Sequence, residues 1–341
     1  MATPAWEASV LGALLSAAAL VALIWLRRAL PQDVPNARSL HARPVPRAGG
    51  FAIWVGFIPA AILFPPSFPG GASAWLLPWA LLMVVSAWDD RRAVPVVPRL
   101  AAHAVAALWV AWKLAGHGAA TSMVLPLPLA VFGIAVIVAW ASNLYNFMDG
   151  NDGLAATMGV IGFASLGFAS LGIASRDSAS APALFALATA ILPFLAVNRP
   201  PASMFLGDAG AVPLGFLAAA FGLEGVVASR WPPWFPLLVF LPFVADATFT
   251  LLRRALAREA VWQAHRDHCY QRLNRLGAGH AGTLAVYAAL MVATSATAIA
   301  CLRAAPWAGG WALAAWTAVV LMLFAAIDYH WRKNDKIAPT R

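Results

Sequence analysis

The sequence predicts an all-α, polytopic integral membrane protein, and three observations carry that prediction. Hydrophobic residues make up 62% of the 341-residue chain and charged residues only 11%, a balance that an ordinary water-soluble domain does not have. Its 16 Trp suit a protein with many membrane–water interfaces. Apolar stretches recur from end to end, at about 9–27, 49–64, 74–88, 100–115, 123–142, 154–174, 181–197, 209–228, 234–252, 281–302 and 309–328, which makes about 11 transmembrane helices (10–11).

In the first stretch Glu7 precedes the apolar run while Arg27 and Arg28 follow it. That is the reverse of a cleavable signal peptide and the pattern of an anchor with its N-terminus outside. The second, third and fourth stretches fall short of the roughly 20 residues that spanning takes, so their ends are read loosely. Asp89 and Asp90 close the third, and NLYNFMDGNDGL (143–154) follows the fifth. Asp208, in FLGDAGA, lies between the seventh and eighth. The ninth holds Asp246, the one acid well inside an apolar run; Arg253 lies two turns on along the same face, a spacing for a structural ion pair or a substrate contact. The tenth and eleventh precede a basic tail.

With the N-terminus outside, every Lys and Arg except Lys113, Arg176, Arg230 and Arg303 falls in or beside the loops after stretches 1, 3, 5, 7 and 9 or on the tail. The positive-inside rule makes that side, and the C-terminus, cytoplasmic. A net charge of +9 spread over such loops serves orientation and attraction to anionic lipid and phosphate, so nucleic acid is not an expected partner. Cys269 and Cys301, one in a polar and one in an apolar segment, support neither a disulfide framework nor a thiolate metal site. A single transmembrane domain over 1–341 is expected, with loops 28–48, 89–99, 143–153, 198–208 and 253–280 forming the active site.

The densest polar run, 143–154, sets two carboxylates, three carboxamides and two glycines beside a membrane segment. Asp149 and Asp152 share a face if the run is helical; Gly150 and Gly153 let the backbone hug a ligand if it is not. Hard oxygen ligands converge either way. Asp89, Asp90, Asp149, Asp152, Asp208, His265 and His268 all fall on the cytoplasmic side, although one helix more or fewer between two motifs would have parted them.

These residues give the chain a resemblance to the bacterial polyprenyl-phosphate N-acetylhexosamine-1-phosphate transferases, the glycosyltransferase 4 type that includes phospho-N-acetylmuramoyl-pentapeptide transferase. It rests on DVPNARSLHARPVPRAGG (33–50), Asp89–Asp90, NLYNFMDGNDGL, FLGDAG (205–210) and PFVADATFTLLRR (242–254), in the family order. Where many members carry adjacent histidines this chain has HRDHCYQRL (265–273), and Ala211 stands where a Ser often follows the glycine. The first departure resembles the subgroup that handles deoxy-N-acetylhexosamines for O-antigen.

The resemblance implies an enzyme of the bacterial inner membrane, facing the cytoplasm, that transfers N-acetylhexosamine-1-phosphate or its deoxy form from a UDP-sugar to undecaprenyl or another polyprenyl phosphate. UMP leaves, and a surface glycan such as O-antigen in lipopolysaccharide is begun. It implies Mg2+, which Mn2+ can replace, with Asn146 and Asp208 as ligands, since two like-charged phosphates must approach each other. Asn143, Asp149 and Asp152 then contact the nucleotide or organise the metal's surroundings. Asp89 and Asp90 serve as base, as covalent nucleophile, or to position phosphate or metal; His265 and His268 bind the diphosphate either protonated or through neutral N–H groups. Arg38, His41, Arg43 and Arg47, with Gly49 and Gly50, clamp the lipid phosphate. Membrane lipid and a second copy in a homodimer are the other expected partners. The alternative is a transporter or lipid carrier with a cytoplasmic-face ion site, but transporters place ionisable groups near the midplane, whereas here they crowd one surface.

Overall fold

The computed structural model describes residues 3–35, 40, 43–92, 94–116, 126–172, 179–260 and 265–335. In order they form α1 (Thr3–Trp25), a two-residue ladder of β1 (Gln32–Asp33) and β2 (Val45–Pro46), α2 (Gly49–Leu63), α3 (Ala72–Asp89), α4 (Val96–Leu114), α5 (Leu127–Phe147), α6 (Leu154–Gly172), α7 (Ala181–Asn198), α8 (Asp208–Val227), α9 (Trp234–Val239), α10 (Leu241–Leu256), α11 (Cys269–Leu273), α12 (Gly279–Cys301) and α13 (Ala308–Asp335). The chain is an all-α multi-pass membrane protein. Each predicted stretch holds at least one helix, but among the described residues eight helices, not eleven, are both long and apolar enough to span. Helix α2 is apolar but shorter. Charged Arg99 and Lys113 flank the apolar part of α4, and the ninth stretch is two helices rather than one. It breaks at Phe240 because Pro242 has no N–H to continue the ladder.

Helix α8 is the central post. Nearly every residue from Ala209 to Gly225 is buried, as expected for a helix apolar all round. Small residues let its neighbours close on it: a Cβ on Gly50 of α2 would stand 2.5 Å from the Gly210 Cα, and one on Gly215 would stand 2.4 Å from the Ala141 carbonyl oxygen of α5. Helices α2, α3, α4, α5 and α6 pack around this post, and α1 lies on α2 and α7. Large apolar side chains such as Leu14, Trp311 and Met322 point outward, where lipid replaces water as their neighbour.

The ladder pairs Gln32 with Pro46 and Asp33 with Val45 antiparallel, folding the first loop back on itself. The next residues run beside the strand entering α8. Phe205 N–H donates to Pro46 O at 2.8 Å, Gly49 N–H to Phe205 O at 2.9 Å and Gly50 N–H to Leu206 O at 3.0 Å. Arg47 is thereby brought to the N-terminus of α8.

Candidate active site

Helix α8 starts at Asp208 with no side chain of its own at the cap. Gly207 there has φ +75°, in the left-handed region, and a Cβ on it would stand 2.8 Å from Asp90 Oδ2. Asp90, arriving from the end of α3, caps the helix instead: its carboxylate accepts from Asp208 N at 3.0 Å and Ala209 N at 2.9 Å, two groups the helix cannot pair itself. Arg47 lies beside both acids, 3.8 Å from Asp90 Oδ1 and 3.7 Å from Asp208 Oδ1. Asp89 turns away, accepting from Val94 N and from Arg99 Nη1, each at 2.7 Å, and so closes the turn into α4. The neighbouring acids therefore do different work.

Helix α5 continues through Phe147, so Asn143 and Asn146 are helical rather than part of a loop. Turns follow, reversed at Gly153 (φ +76°), whose N–H donates to Asn198 Oδ1 at 3.0 Å. Asp152 accepts from Ala202 N at 2.9 Å and lies 3.2 Å from Nδ1 of His280, while Asn151 accepts from Asn274 Nδ2 at 2.9 Å; this pair ties the motif to the loop after α7 and to α12. Asp149 is different. Burial, then the charge of Asp208, holds its carboxyl well above the usual carboxylate range, with Arg47 opposing and Asp90 and Asp152 adding to the repulsion. Burial also raises Asp90, although the N–H groups of Ala209 and Asp208 work against the shift. Among the described residues no three His, Cys, Asp or Glu form a ready metal cage. Crowded carboxylates of this kind fit a hard cation that takes its remaining ligands from phosphate and water.

The expected ion pair of Asp246 with Arg253 is not formed. Asp246, fully buried on α10, accepts from Cys269 N at 2.8 Å, Tyr270 N at 3.0 Å and the Tyr287 hydroxyl, so it caps α11; Arg253 reaches Asp328 of α13 at 2.6 Å. The open N–H groups of α11 solvate the carboxylate in place of a guanidinium. His268 is buried, stacked on Phe147 (centroids 5.9 Å apart) and Tyr270 (5.8 Å), with Nδ1 3.5 Å from Asp246 Oδ1. His265 is the accessible histidine, its ring 4.9 Å from that of His268. Burial, then His268 and Arg254, lowers its pKa to about 4, a shift that an anionic ligand would oppose. The Tyr270 hydroxyl donates to Phe147 O at 3.0 Å and sits over Gly150, where a Cβ would come within 2.1 Å of it.

Thus Arg47, Asp90, Asp149 and Asp208 form one cluster, with Asn143 and Asn146 on the helix leading into it and His268 against Phe147. Asp89 and Asp152 are turned to structural partners. Arg38 and His41 lie outside the described residues, and Arg43 is exposed. Sequence reasoning passed over Arg99, His103, His280 and Tyr270. The first two had a signal, being polar residues four apart on one face of an apolar helix. An apolar cavity of about 270 Å3 between α5, α8, α9 and α10 is lined by Leu144, Tyr145, Gly215, Phe240 and Phe243 among others, the first two within the same motif.

Residues 72–226 match the profile described as Glycosyl transferase family 4. The chain is 28% identical over 282 residues, 72% of its length and 69% of the relative's, to the decaprenyl-phosphate N-acetylglucosaminephosphotransferase of Mycobacterium tuberculosis. It is 26% identical over 320 residues, 90% and 86% of the two lengths, to a probable undecaprenyl-phosphate N-acetylglucosaminyl 1-phosphate transferase of Bacillus subtilis. To the undecaprenyl-phosphate alpha-N-acetylglucosaminyl 1-phosphate transferase of Escherichia coli it is 25% identical over 259 residues, 72% and 69% of the two lengths. The carboxylates at the end of α3, after α5 and at the head of α8 all fall in the matched region, so this part of the chain is similar to glycosyl transferase family 4, and the chain is a homologue of the polyprenyl-phosphate N-acetylglucosamine-1-phosphate transferases.

Proposed function

We propose that the chain transfers an N-acetylhexosamine-1-phosphate, in normal or deoxy form, from a UDP-sugar to undecaprenyl or a similar polyprenyl phosphate at the cytoplasmic face of a bacterial inner membrane, and so starts a surface glycan such as O-antigen. One observation carries the reading: Asp90, Asp149, Asp208 and Arg47, from four separate parts of the chain, meet at one end of the bundle with too little positive charge to balance them. A divalent cation and a diphosphate complete that balance. Mg2+, which Mn2+ can replace, would be held by Asn146 and Asp208 and would neutralise the diphosphate. Asp149 lies within their field and strengthens cation binding, Arg47 faces phosphate, and His265 donates an N–H to it. Asp90 holds Asp208 in place from the α8 cap, and Asp89 does the same for the α3–α4 turn. The cavity beside Leu144 and Tyr145 is an apolar path for the isoprenoid chain.

The acceptor phosphate has a second pKa near 6 and is largely dianionic at neutral pH, so it attacks the sugar-linked phosphorus without a strong base. UMP leaves with the electron pair of the broken P–O bond. The test is purified protein with undecaprenyl phosphate and radiolabelled UDP-GlcNAc, UDP-FucNAc and UDP-QuiNAc, scored for lipid-linked product. Product from one of these supports the reading, and no product from any contradicts it. Exchange of labelled UMP with a UDP-sugar in the absence of lipid would instead show a covalent phospho-sugar on the enzyme.

A further inference from the structure

The side-chain amide of Asn143 is gripped from two directions. Its nitrogen stands 2.7 Å from the Ala139 carbonyl oxygen and 2.9 Å from Nδ1 of His103. A backbone carbonyl can only accept, so the atom facing it is the NH2 group, and the orientation of the amide is decided. The second amide hydrogen then meets His103 Nδ1. A ring nitrogen that accepts carries no proton, so His103 is the neutral tautomer protonated on Nε2. Both hydrogens are now used, and the carbonyl oxygen is the end of Asn143 with no partner among the described residues.

His103 is built for this contact. It is 6% exposed on α4, one turn beyond the Arg99 that holds Asp89, so a single face of α4 braces both acid-bearing segments. Without the ring acceptor one amide hydrogen is buried and unsatisfied, and the amide is free to turn its oxygen away from the site.

We propose that His103 is a positioning residue that holds the Asn143 carbonyl oxygen toward a hydroxyl or N–H donor of the UDP-sugar. This rests on the transferase reading above. The His103 ring never touches the substrate; it decides which end of an amide the substrate meets.

The experiment compares His103→Gln, His103→Leu, Asn143→Ala and the His103→Leu/Asn143→Ala double variant in the full-length protein, using the UDP-sugar turned over fastest in the panel above. Gln offers a carbonyl oxygen in place of Nδ1, whereas Leu fills the space without an acceptor. The expected result is a fall of about tenfold in kcat/KM for the UDP-sugar in His103→Leu, recovery to within about twofold in His103→Gln, an unchanged KM for undecaprenyl phosphate, and a double variant no worse than Asn143→Ala. Equal losses in the Gln and Leu variants, or additive losses in the double variant, would overturn the proposal in favour of plain packing. Full activity in Asn143→Ala would remove Asn143 from the site and the proposal with it. If no UDP-sugar is turned over, the transferase reading has failed separately. The same four proteins then report the contact by thermal unfolding, where non-additive melting shifts support the bond and additive ones refute it.

Discussion

At the residue scale, two neighbouring aspartates show how far a motif underdetermines its members. Asp89 serves a turn and Asp90 serves a helix that begins 118 residues later. Asp90→Asn keeps one acceptor oxygen and loses the other, so it should destabilise the fold by about 0.5–2 kcal/mol, the usual range for a lost helix cap. Asp208→Asn removes a proposed ligand rather than a support. It should leave the melting temperature near that of the parent while turnover falls by more than about a hundredfold, beyond the usual loss for an outer-sphere partner, and a higher Mg2+ concentration is needed. Melting and Mg2+ titration of both variants separate the roles; full activity in Asp208→Asn with an unchanged Mg2+ response would sink the ligand assignment. Asp149 supplies the pH test. Its folded-state carboxyl is held above the ordinary value of about 4. The stability linked to it is therefore complete below that value and lost as pH rises through the raised one. In EDTA, Asp149→Asn should melt higher than the parent at pH 8, with the gap closing toward pH 5, and Mg2+ should favour the parent. The acids themselves were legible in the sequence because carboxylates beside apolar runs stand out. Their division of labour was not, since it depends on which backbone N–H each one meets.

At the element scale, hydropathy found the helices and misjudged some ends. The apolar run before Asn143 stops where helix α5 does not, because the helical ladder needs only backbone groups and Asn143 bonds back to Ala139 O within it. The ninth stretch failed the other way: it is apolar throughout, and Pro242 breaks it. Asp246 looked like the partner of Arg253 on helical spacing, yet spacing along α10 carries no information about α11, whose N–H groups claim the carboxylate. The histidine segment is joined to the acid motif by the Tyr270 hydroxyl, which bonds Phe147 O directly over Gly150. Gly150→Ala should push that ring aside, lowering activity while the protein still accumulates in the membrane. Tyr270→Phe removes the atom that collides, so Gly150→Ala/Tyr270→Phe should be more active than Gly150→Ala alone. A double variant as poor as the product of the two singles would show that Gly150 is needed for its backbone and not for its clearance.

At the scale of the whole molecule, the motifs meet through helix ends, and that constrains orientation before any charge is counted. The last residue of α3 leads to the side chain that caps the first residue of α8, Arg47 just before α2 reaches the same two acids, and α5 ends in the turns that carry Asp149. Ends that touch are expected at one membrane face, which would put the acid cluster and the loops bearing Arg43, Arg91 and Arg258 on one side. The proposed orientation, with that side in the cytoplasm and the N-terminus outside, is the one the positive-inside rule favours. In a background with Cys269 and Cys301 replaced, single cysteines at the exposed positions 43, 91 and 258 should react with a membrane-impermeant maleimide only after the cytoplasmic side is opened, whereas those at Ala228 and Ala305 should react in intact cells. These five sites sample both faces across the chain. If 43, 91 and 258 react together from outside, the cluster is intact but the orientation is reversed, and a cytoplasmic UDP-sugar could not reach it. If they split between the two sides, the helix-end contacts that define the site are themselves wrong.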